Sequence, residues 1–301
     1  MPIKVAVAGV TNGLGHSIVS ALLNTTGVEV TLLTRSSSTP VDLSHFTSLG
    51  AIVKPVDYSS IPDLTTALEG VQTVISTIFS KHDIQPILNL ITASKSAGVR
   101  RFAPSDFAFS AAANDRLALY EPKRKVHDAL KASGLEYTTF ANGIFTDYLS
   151  FGAPKSYEGK LHIYPVVVNI AAGKATIPGT GDEKLTLTTI ADVGRFVAGA
   201  VKLEGRWPEE LGMVGETTSY NQVVRDVESV TGKKLEVEYL DKEKIAKALE
   251  VTKGDEIKFF YTQALGVIAG GLGAVEPTLN RLATQVATTS VKDFVIEYWS
   301  T

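Results

Sequence analysis

The sequence predicts an α/β fold in which a doubly wound parallel sheet carries a smaller α+β lobe. Three observations predict it. Short β-branched runs alternate with longer helical patterns in the first half of the chain, a glycine-rich turn joins the first strand to the first helix, and the alternation ends near residue 145. Apolar strands that alternate with helices indicate βαβ units, with helices covering both faces of a parallel sheet.

The first half contains the predicted sheet and its crossover helices. Strands are predicted at 3–10, 28–34, 51–56, 71–77, 99–105 and 135–141. Helices are predicted near 14–25, 60–69, 84–97 and 120–133. Because crossovers between parallel strands are right-handed, this order predicts one sheet wound in both directions.

The second half follows a different pattern. Residues 146–182 are rich in turn signals such as "GAPKSYEGK" and "IPGTGDEK", so we expect loops there. Helices are then predicted at 190–203, 218–231, 241–251, 255–268 and 286–299, and a strand at 235–240. We expect this part of the chain to pack beyond the carboxyl edge of the sheet.

Composition and charge exclude several classes of function. A net charge of −3 and an isoelectric point near 6.0 give no electrostatic reason to expect binding to nucleic acid or to an anionic membrane. The absence of cysteine excludes disulfides, thiolate metal sites and a cysteine nucleophile. With no leader pattern, no membrane-length apolar run and no metal-binding histidine spacing, we expect a cytoplasmic protein that acts on a small molecule without a metal.

The stretch "VAVAGVTNGLG", residues 5–15, has the form of a phosphate-binding turn between a strand and a helix. Its glycines fit the G-x-x-x-G-x-G spacing of short-chain dehydrogenases, and a G-x-x-G-x-x-G register with asparagine in the middle place also remains open. Glycine permits a sharp turn, and the helix N-terminus offers free N–H groups to an anion. A tight turn without ligand is the alternative. The residues expected at the cofactor phosphates are Gly9, Thr11, Asn12, Gly13, Leu14 and Gly15.

The end of the second strand indicates which dinucleotide is bound. An acidic residue there would bind the ribose 2′-hydroxyl of NAD, but this strand ends in Arg35 and Ser36. A guanidinium and a hydroxyl suit a 2′-phosphate, so the sequence favours NADPH. Glu29 begins the strand and therefore lies at the wrong end.

Polar and small residues follow the later strands, where the sheet of an open α/β fold forms its ligand crevice. We expect cofactor contacts from Ser76, Thr77, Ser105 and Asn142, and substrate contacts from Asp106, Phe107, Gly143 and Phe145. A helix cap for Ser105 and a core position for Phe145 are the structural alternatives.

Four stretches carry a resemblance to known proteins. They are "RRFAPSDFAF" (100–109), "YEPKRKVHDALKASGLEYT" (120–138), "TTFANGIFTDYL" (138–149) and "LTTIADVGRFVAGAV" (187–201). In order and spacing the chain resembles the NmrA-like and isoflavone-reductase-like families, which are atypical short-chain dehydrogenases. The resemblance implies an NADP-binding Rossmann-type domain at 1–145, with returning segments near 185–215, a substrate lobe mainly at 146–301, and NADPH as cofactor.

The family's catalytic lysine, the first residue of its K-x-x-x-R motif, corresponds to Lys123. The final arginine of that motif is replaced by His127. Near a nicotinamide, a lysine can bind the ribose and stabilise or protonate a developing oxyanion. Lys125 is the second choice, and a solvated run of cations is the structural alternative. The Tyr-x-x-x-Lys pattern is absent because Leu119 stands four residues before the lysine, so the proton donor stays unnamed.

Together these features predict an NADPH-dependent reductase. It would transfer hydride to a C=O, C=N or activated C=C bond of a small aromatic or secondary-metabolite-like substrate, in a pocket shaped by apolar residues that include 261–275. Two alternatives stay open. One is a non-catalytic NADP(H)-sensing regulatory protein of the NmrA-like type, and the other is an isomerase or cyclase on the same fold.

Overall fold

A computed structural model describes residues 1–11, 13–36, 42–163 and 166–300. Its central sheet has six parallel strands: β1 (Ile3–Ala8), β2 (Val28–Arg35), β3 (Ile52–Val56), β4 (Thr73–Ser76), β5 (Arg101–Ala103) and β6 (Glu136–Tyr137). Their spatial order is β3-β2-β1-β4-β5-β6, so the direction of winding reverses between β1 and β4. Ligands of such sheets bind beside this reversal, outside the carboxyl ends of the strands.

Helices cover both faces of the sheet, which confirms the predicted fold class. The first six are α1 (Gly13–Leu23), α2 (Ser44–Ser48), α3 (Ile61–Ala67), α4 (Gln85–Ser96), α5 (Ala111–Asn114) and α6 (Glu121–Ser133), and α7 (Ile190–Val201) returns from the second half. Val5 and Val7 of β1 pack in one core with α1 and α7. Ala6 and Ala8 of the same strand face a second core with α3, α4 and α6, as the alternation of side chains along a strand requires.

The second half adds three small sheets and five more helices among the described residues. The strands are β7 (Thr139–Ala141), β8 (Ile144–Phe145), β9 (Val168–Asn169), β10 (Lys174–Pro178), β11 (Leu185–Thr188), β12 (Glu210–Gly212), β13 (Glu216–Thr218) and β14 (Glu236–Leu240). The helices are α8 (Tyr220–Thr231), α9 (Lys242–Thr252), α10 (Glu256–Ala269), α11 (Thr278–Leu282) and α12 (Val291–Trp299). A third core lies between β10, β11, α8, α10 and α12.

Several elements differ from the predicted ones, and three of the differences concern predicted segments. The predicted strand 135–141 divides at Thr138, because β6 pairs with β5 whereas β7 pairs in parallel with β12. The predicted loop region 146–182 contains β9, β10 and a 3₁₀ helix at Thr146–Ser150. The last helix begins at Val291 rather than near 286, because the Ser290 side chain accepts a hydrogen bond from the Asp293 N–H and caps it.

Helix α7 ties the second half of the chain to the glycine turn. The Ser17 hydroxyl donates to the carbonyl oxygen of Ile190 at 2.7 Å. Gly194 lies so close that a Cβ there would be 2.7 Å from the carbonyl oxygen of Ser17. Residues 190–212 thus return to the first half, while the division of the chain at residue 145 stays a prediction.

Within the described ranges, no helix is long and apolar enough to cross a bilayer. The same ranges contain no cluster of histidine and carboxylate side chains arranged to hold a metal ion.

Candidate functional site

The glycine turn is fastened to the end of β4. Gly9 has a φ of +91°, which favours glycine, and a Cβ at Gly15 would lie 2.2 Å from the Gly9 carbonyl oxygen. The Thr77 hydroxyl donates to that same oxygen at 2.7 Å. The two glycines in contact, Gly9 and Gly15, are the first and last glycines of both possible registers, so the choice between the registers stays open. Asn12 itself, and the turn conformation it needs there, lie outside the described residues.

Gly13, the remaining glycine of the turn, contacts a different part of the chain. A Cβ at Gly13 would lie 2.2 Å from the backbone nitrogen of Leu161, so this glycine admits a segment from the second half of the chain. The N–H groups of Gly13 and Leu14, in the first turn of α1, donate to no acceptor in the part of the chain that is described. Both residues are buried. Unpaired N–H groups at a helix N-terminus can donate to the phosphates of NADP(H), so the turn fits that cofactor. Thr11 lies exposed on the turn.

The carboxyl end of β2 carries Arg35 and Ser36, both exposed. The backbone N–H of Ser36 donates to the carbonyl oxygen of Val56 and fixes this corner at the end of β3. Glu29 lies at the opposite end of β2, 3.9 Å from Lys4. Arg35 and Ser36 thus lie at the carboxyl edge of the sheet, and their role at a 2′-phosphate stays a prediction. The residues that follow, 37–41, lie outside the described ranges.

Polar side chains end the neighbouring strands. The hydroxyl of Ser76 accepts from the N–H of Ile78 at 3.2 Å, and Ser105 is half-buried after β5. Asn142, which follows β7, is fully buried, and its side-chain oxygen has no hydrogen-bond partner among the described residues. A buried amide oxygen without a partner is energetically unfavourable, which makes Asn142 a reasonable contact for a ligand.

Lys123 and Asp106 form a buried ion pair beside this edge. The Lys123 Nζ lies 3.5 Å from Asp106 Oδ1, and the two side chains are only 11% and 2% exposed. His127, one helical turn after Lys123, contacts the second carboxylate oxygen through its Nε2. Helix α6 brings both basic side chains to one face because they are four residues apart. The residue that replaces the family's arginine therefore engages the same carboxylate as the lysine.

The surroundings shift the pKa values of this pair. Burial lowers the pKa of Lys123, although the charge of Asp106 opposes the shift. Burial by itself would raise the pKa of Asp106, but the hydrogen bond from His127 and the charge of Lys123 outweigh it and hold the pKa below its usual range. An ammonium with a lowered pKa is a stronger acid than an exposed lysine.

The other nearby cation has a different environment. Lys125 is 61% exposed and pairs with Glu121 one turn earlier, at 2.9 Å. By contrast, the Lys123 Nζ lies 4.0 Å from the centroid of the Tyr120 ring and 5.4 Å from that of Phe79. Of the two lysines, only Lys123 faces the interior of the site.

A cavity of about 400 Å³ lies between the sheet edge and the lobe. Its walls are mostly aromatic and aliphatic, and they consist of Phe107, Ala108, Phe109, Tyr120, Gly143, Ile144, Phe145, Tyr148, Val166, Val167, Thr176, Tyr220, Phe260, Tyr261, Ala264, Leu265 and Ile268. No charged residue is among them. This size and polarity match an apolar site for a small organic molecule.

Three of the four predicted substrate residues, Phe107, Gly143 and Phe145, line this cavity. Asp106 does not; it lines a smaller neighbouring hollow with Ser105, Lys123 and His127. The ring of Tyr120 connects the two spaces, since it lines the large cavity and contacts the Lys123 ammonium. Ser105 and Lys123, predicted to lie near the nicotinamide, are thus brought together.

Much of the cavity wall was not predicted residue by residue. From the predicted stretch 261–275, four residues line it, all on α10. Phe109, Tyr148, Tyr220 and Phe260 were missed, because they come from separate elements that meet only in the folded chain. For Phe109, the alternation with Phe107 along the chain was a local signal that could have found it.

Fold and site together describe a dinucleotide-binding α/β protein with an apolar cavity beside the cofactor edge. The model of the NmrA-like family matches residues 1–290, and the chain belongs to that family. An oxidoreductase of Botryotinia fuckeliana (strain B05.10) is 32% identical over 244 residues, which cover 77% of this chain and 77% of the relative.

Two further comparisons are with a named reductase and with a solved structure. The phenylcoumaran benzylic ether reductase TP7 of Nicotiana tabacum is 27% identical over 299 residues, covering 89% of this chain and 93% of the relative. The solved structure of AtPrR2 with NADP+ and (+)pinoresinol superposes with a TM-score of 0.79 at 24% identity, covering 99% of each chain. This superposition establishes the fold.

Proposed function

We propose that this protein transfers hydride from NADPH to a C=O, C=N or activated C=C bond of a small aromatic, secondary-metabolite-like substrate. One observation carries the proposal. The buried Lys123–Asp106 pair lies at the carboxyl edge of the sheet, and Tyr120 links the ammonium to an uncharged cavity of about 400 Å³.

The class of activity is supported by the comparisons. Relatives that match most of the chain are named oxidoreductases and reductases, and a protein of the same fold binds NADP+. The protein is an NADPH-dependent oxidoreductase. The bond reduced and the substrate are the parts that we propose.

Cofactor binding is assigned to the turn and the strand ends. The N–H groups of Gly13 and Leu14 would hold the pyrophosphate, and Arg35 with Ser36 would hold the 2′-phosphate. Asn142 and Ser105 would border the nicotinamide. NADPH, when bound, supplies the hydride.

Lys123 is the proposed catalytic residue. Asp106 orients its ammonium and keeps it charged, while burial makes that ammonium a better acid. In this position Lys123 can donate a proton, directly or through an intervening hydroxyl, to the oxygen that gains negative charge. His127 fixes the carboxylate from the other side and acts as a positioning residue.

The cavity supports an aromatic, uncharged substrate. A carboxylate or an ammonium placed there would lose its hydration without meeting an opposite charge on the wall, which is strongly unfavourable. Flat apolar rings instead find tyrosine and phenylalanine side chains from several directions.

The test is NADPH oxidation, followed at its nicotinamide absorbance, with a panel of enones, quinones, aldehydes and imines. We expect turnover of at least one neutral aromatic member, and a loss of about 100-fold or more in kcat for Lys123→Ala. Lys125→Ala is the matched control, since it removes an exposed cation from the same helix, and its kcat should stay within about twofold of the wild type.

Two results would overturn the proposal. Tight NADPH binding without turnover of any panel member would favour the sensor alternative. Conversion of a substrate without net NADPH consumption would favour the isomerase or cyclase. A Lys123→Ala variant with unchanged kcat would remove the lysine from the mechanism.

A further inference from the structure

A segment from the second half of the chain crosses the start of α1, and we call residues 152–163 the strap. At its tip, Leu161 lies against Gly13 and packs on the core that contains α1 and α7. The neighbouring Lys160 extends to the first turn of α1, where its Nζ is 3.2 Å from His16 Nε2. The strap therefore places a cation beside the N–H groups to which the phosphates are assigned.

The base of the strap is held independently of its tip. The Tyr157 hydroxyl donates to Asp147 Oδ1 at 2.6 Å, and Asp147 Oδ2 accepts from the N–H of Ile190 at 2.9 Å. The Tyr157 ring also contacts that of Tyr298, with centroids 5.9 Å apart. Both anchors are part of the folded core, so the strap is positioned by the structure before any ligand binds.

The electrostatics at the tip favour an anion. Lys160 forms no ion pair with a carboxylate in the described ranges, and its Nζ contacts the imidazole of His16. The nearby carboxylate of Asp42 is exposed, and its pKa is lowered mainly by hydrogen bonds from Ser44 and in part by the charge of Lys160. Burial, the charge of Lys160 and the charge of His45 all lower the pKa of His16. A lysine ammonium that has no ion-pair partner and lies at the positive end of a helix attracts an anion such as a phosphate.

The backbone of Lys160 is also unusual. Its φ of +55° lies in the left-handed region, and no other non-glycine residue of the described chain has a positive φ. Because a lysine has no preference for that region, we attribute this conformation to the contacts of the strap on either side of Lys160, at Tyr157 and Leu161.

We propose that Lys160 binds the pyrophosphate of NADPH at the place where the strap lies against the glycine turn. This inference rests on the proposed function only in its choice of cofactor. Because the pyrophosphate is common to NADPH and NADH, Lys160 should contribute equally to the binding of both. Arg35, which is assigned to the 2′-phosphate, should contribute to the binding of NADPH alone.

The experiment measures dissociation constants of NADPH and NADH, without substrate, by nucleotide fluorescence. Lys160→Gln should raise both constants by about tenfold, as expected for the loss of one charge-assisted contact that is partly screened by solvent. Arg35→Gln should raise only that of NADPH. Lys155→Gln is the matched control, because Lys155 belongs to the same strap but lies over the Tyr298 ring, and both its constants should match the wild type.

Lys160→Arg, which keeps the charge, should retain most of the affinity. The inference is overturned if Lys160→Gln binds both nucleotides as tightly as the wild type, or if it loses affinity for NADPH only. Equal losses in the Lys155 variant would also overturn it. Failure of hydride transfer in a protein that binds NADPH would affect the proposed function alone, since the titrations need no turnover.

Discussion

Removing the carboxylate charge at Asp106 is the sharpest test of how the site is built. Asp106→Asn keeps the shape of the side chain and a hydrogen-bond partner for His127. It leaves the Lys123 ammonium, which is 11% exposed, without its counter-charge. At 3.5 Å and an effective dielectric constant of about 20, Coulomb's law gives an attraction of roughly 5 kcal/mol. Loss of one partner of a buried pair should therefore lower the free energy of unfolding by about 3 kcal/mol.

The assay is a double-mutant cycle in urea or guanidinium chloride. Asp106→Asn, Lys123→Met and the double variant are compared with the wild type, and the double variant should be more stable than the sum of the single losses predicts, by about 2 kcal/mol. In a protein that turns over, the alkaline limb of the rate profile should move to lower pH in Asp106→Asn, because the charge that opposes the lowering of the Lys123 pKa is gone. Additive single losses, or an unmoved alkaline limb, would refute the coupling of these two residues.

Three other outcomes are expected. Burial raises the pKa of Asp147 to about 6. Relative to the Asp147→Asn variant, the wild type should therefore lose up to about 3 kcal/mol of its free energy of unfolding as the pH rises from about 4 to 7. A difference in stability between the two proteins that does not change across that pH range would contradict the shift. Gly13→Ala should destabilise by about 1 kcal/mol, although alanine normally favours a helix, because its Cβ would meet Leu161; a more stable variant in denaturant titration would show that the contact is absent. Tyr220→Phe removes a cavity hydroxyl that has no hydrogen bond to a described residue. The free energy of unfolding should therefore change by less than about 1 kcal/mol, while KM for a turned-over panel substrate rises several-fold; an unchanged KM would place the substrate elsewhere in the cavity.

The sheet was predictable because its signals are local. Each of its strands is a short apolar run between turn residues, and the residues that follow the strands had to meet at one edge. For this reason the positions of Arg35, Ser76 and Ser105 could be named before the fold was known. The division of the sixth predicted strand at Thr138 was not visible, because it depends on pairing with β12, about 70 residues further along.

The lobe and the cavity were less predictable for a related reason. The short strands at 144–145, 168–169 and 216–218 are two or three residues long, too short for an alternating pattern to be recognised. Gly13 also has a contact that no local sequence pattern could predict. It looked like part of the phosphate motif, but the contact that requires a glycine there comes from Leu161, almost 150 residues away in sequence.

The contact between α1 and α7 has a consequence for the order in which the chain folds. One buried face of α1, with Ile18 and Val19, has Val193 and Phe196 of α7 in the same core, and Ser17 is bonded to Ile190. A nascent chain that has emerged only as far as the sixth strand of the sheet would therefore expose this apolar face to water, with the attendant risk of aggregation. On the ribosome, the nucleotide-binding turn can reach its final packing only after residue 201 has left the exit tunnel. Helix α1, near the start of the chain, therefore completes its packing only after α7 has been synthesised.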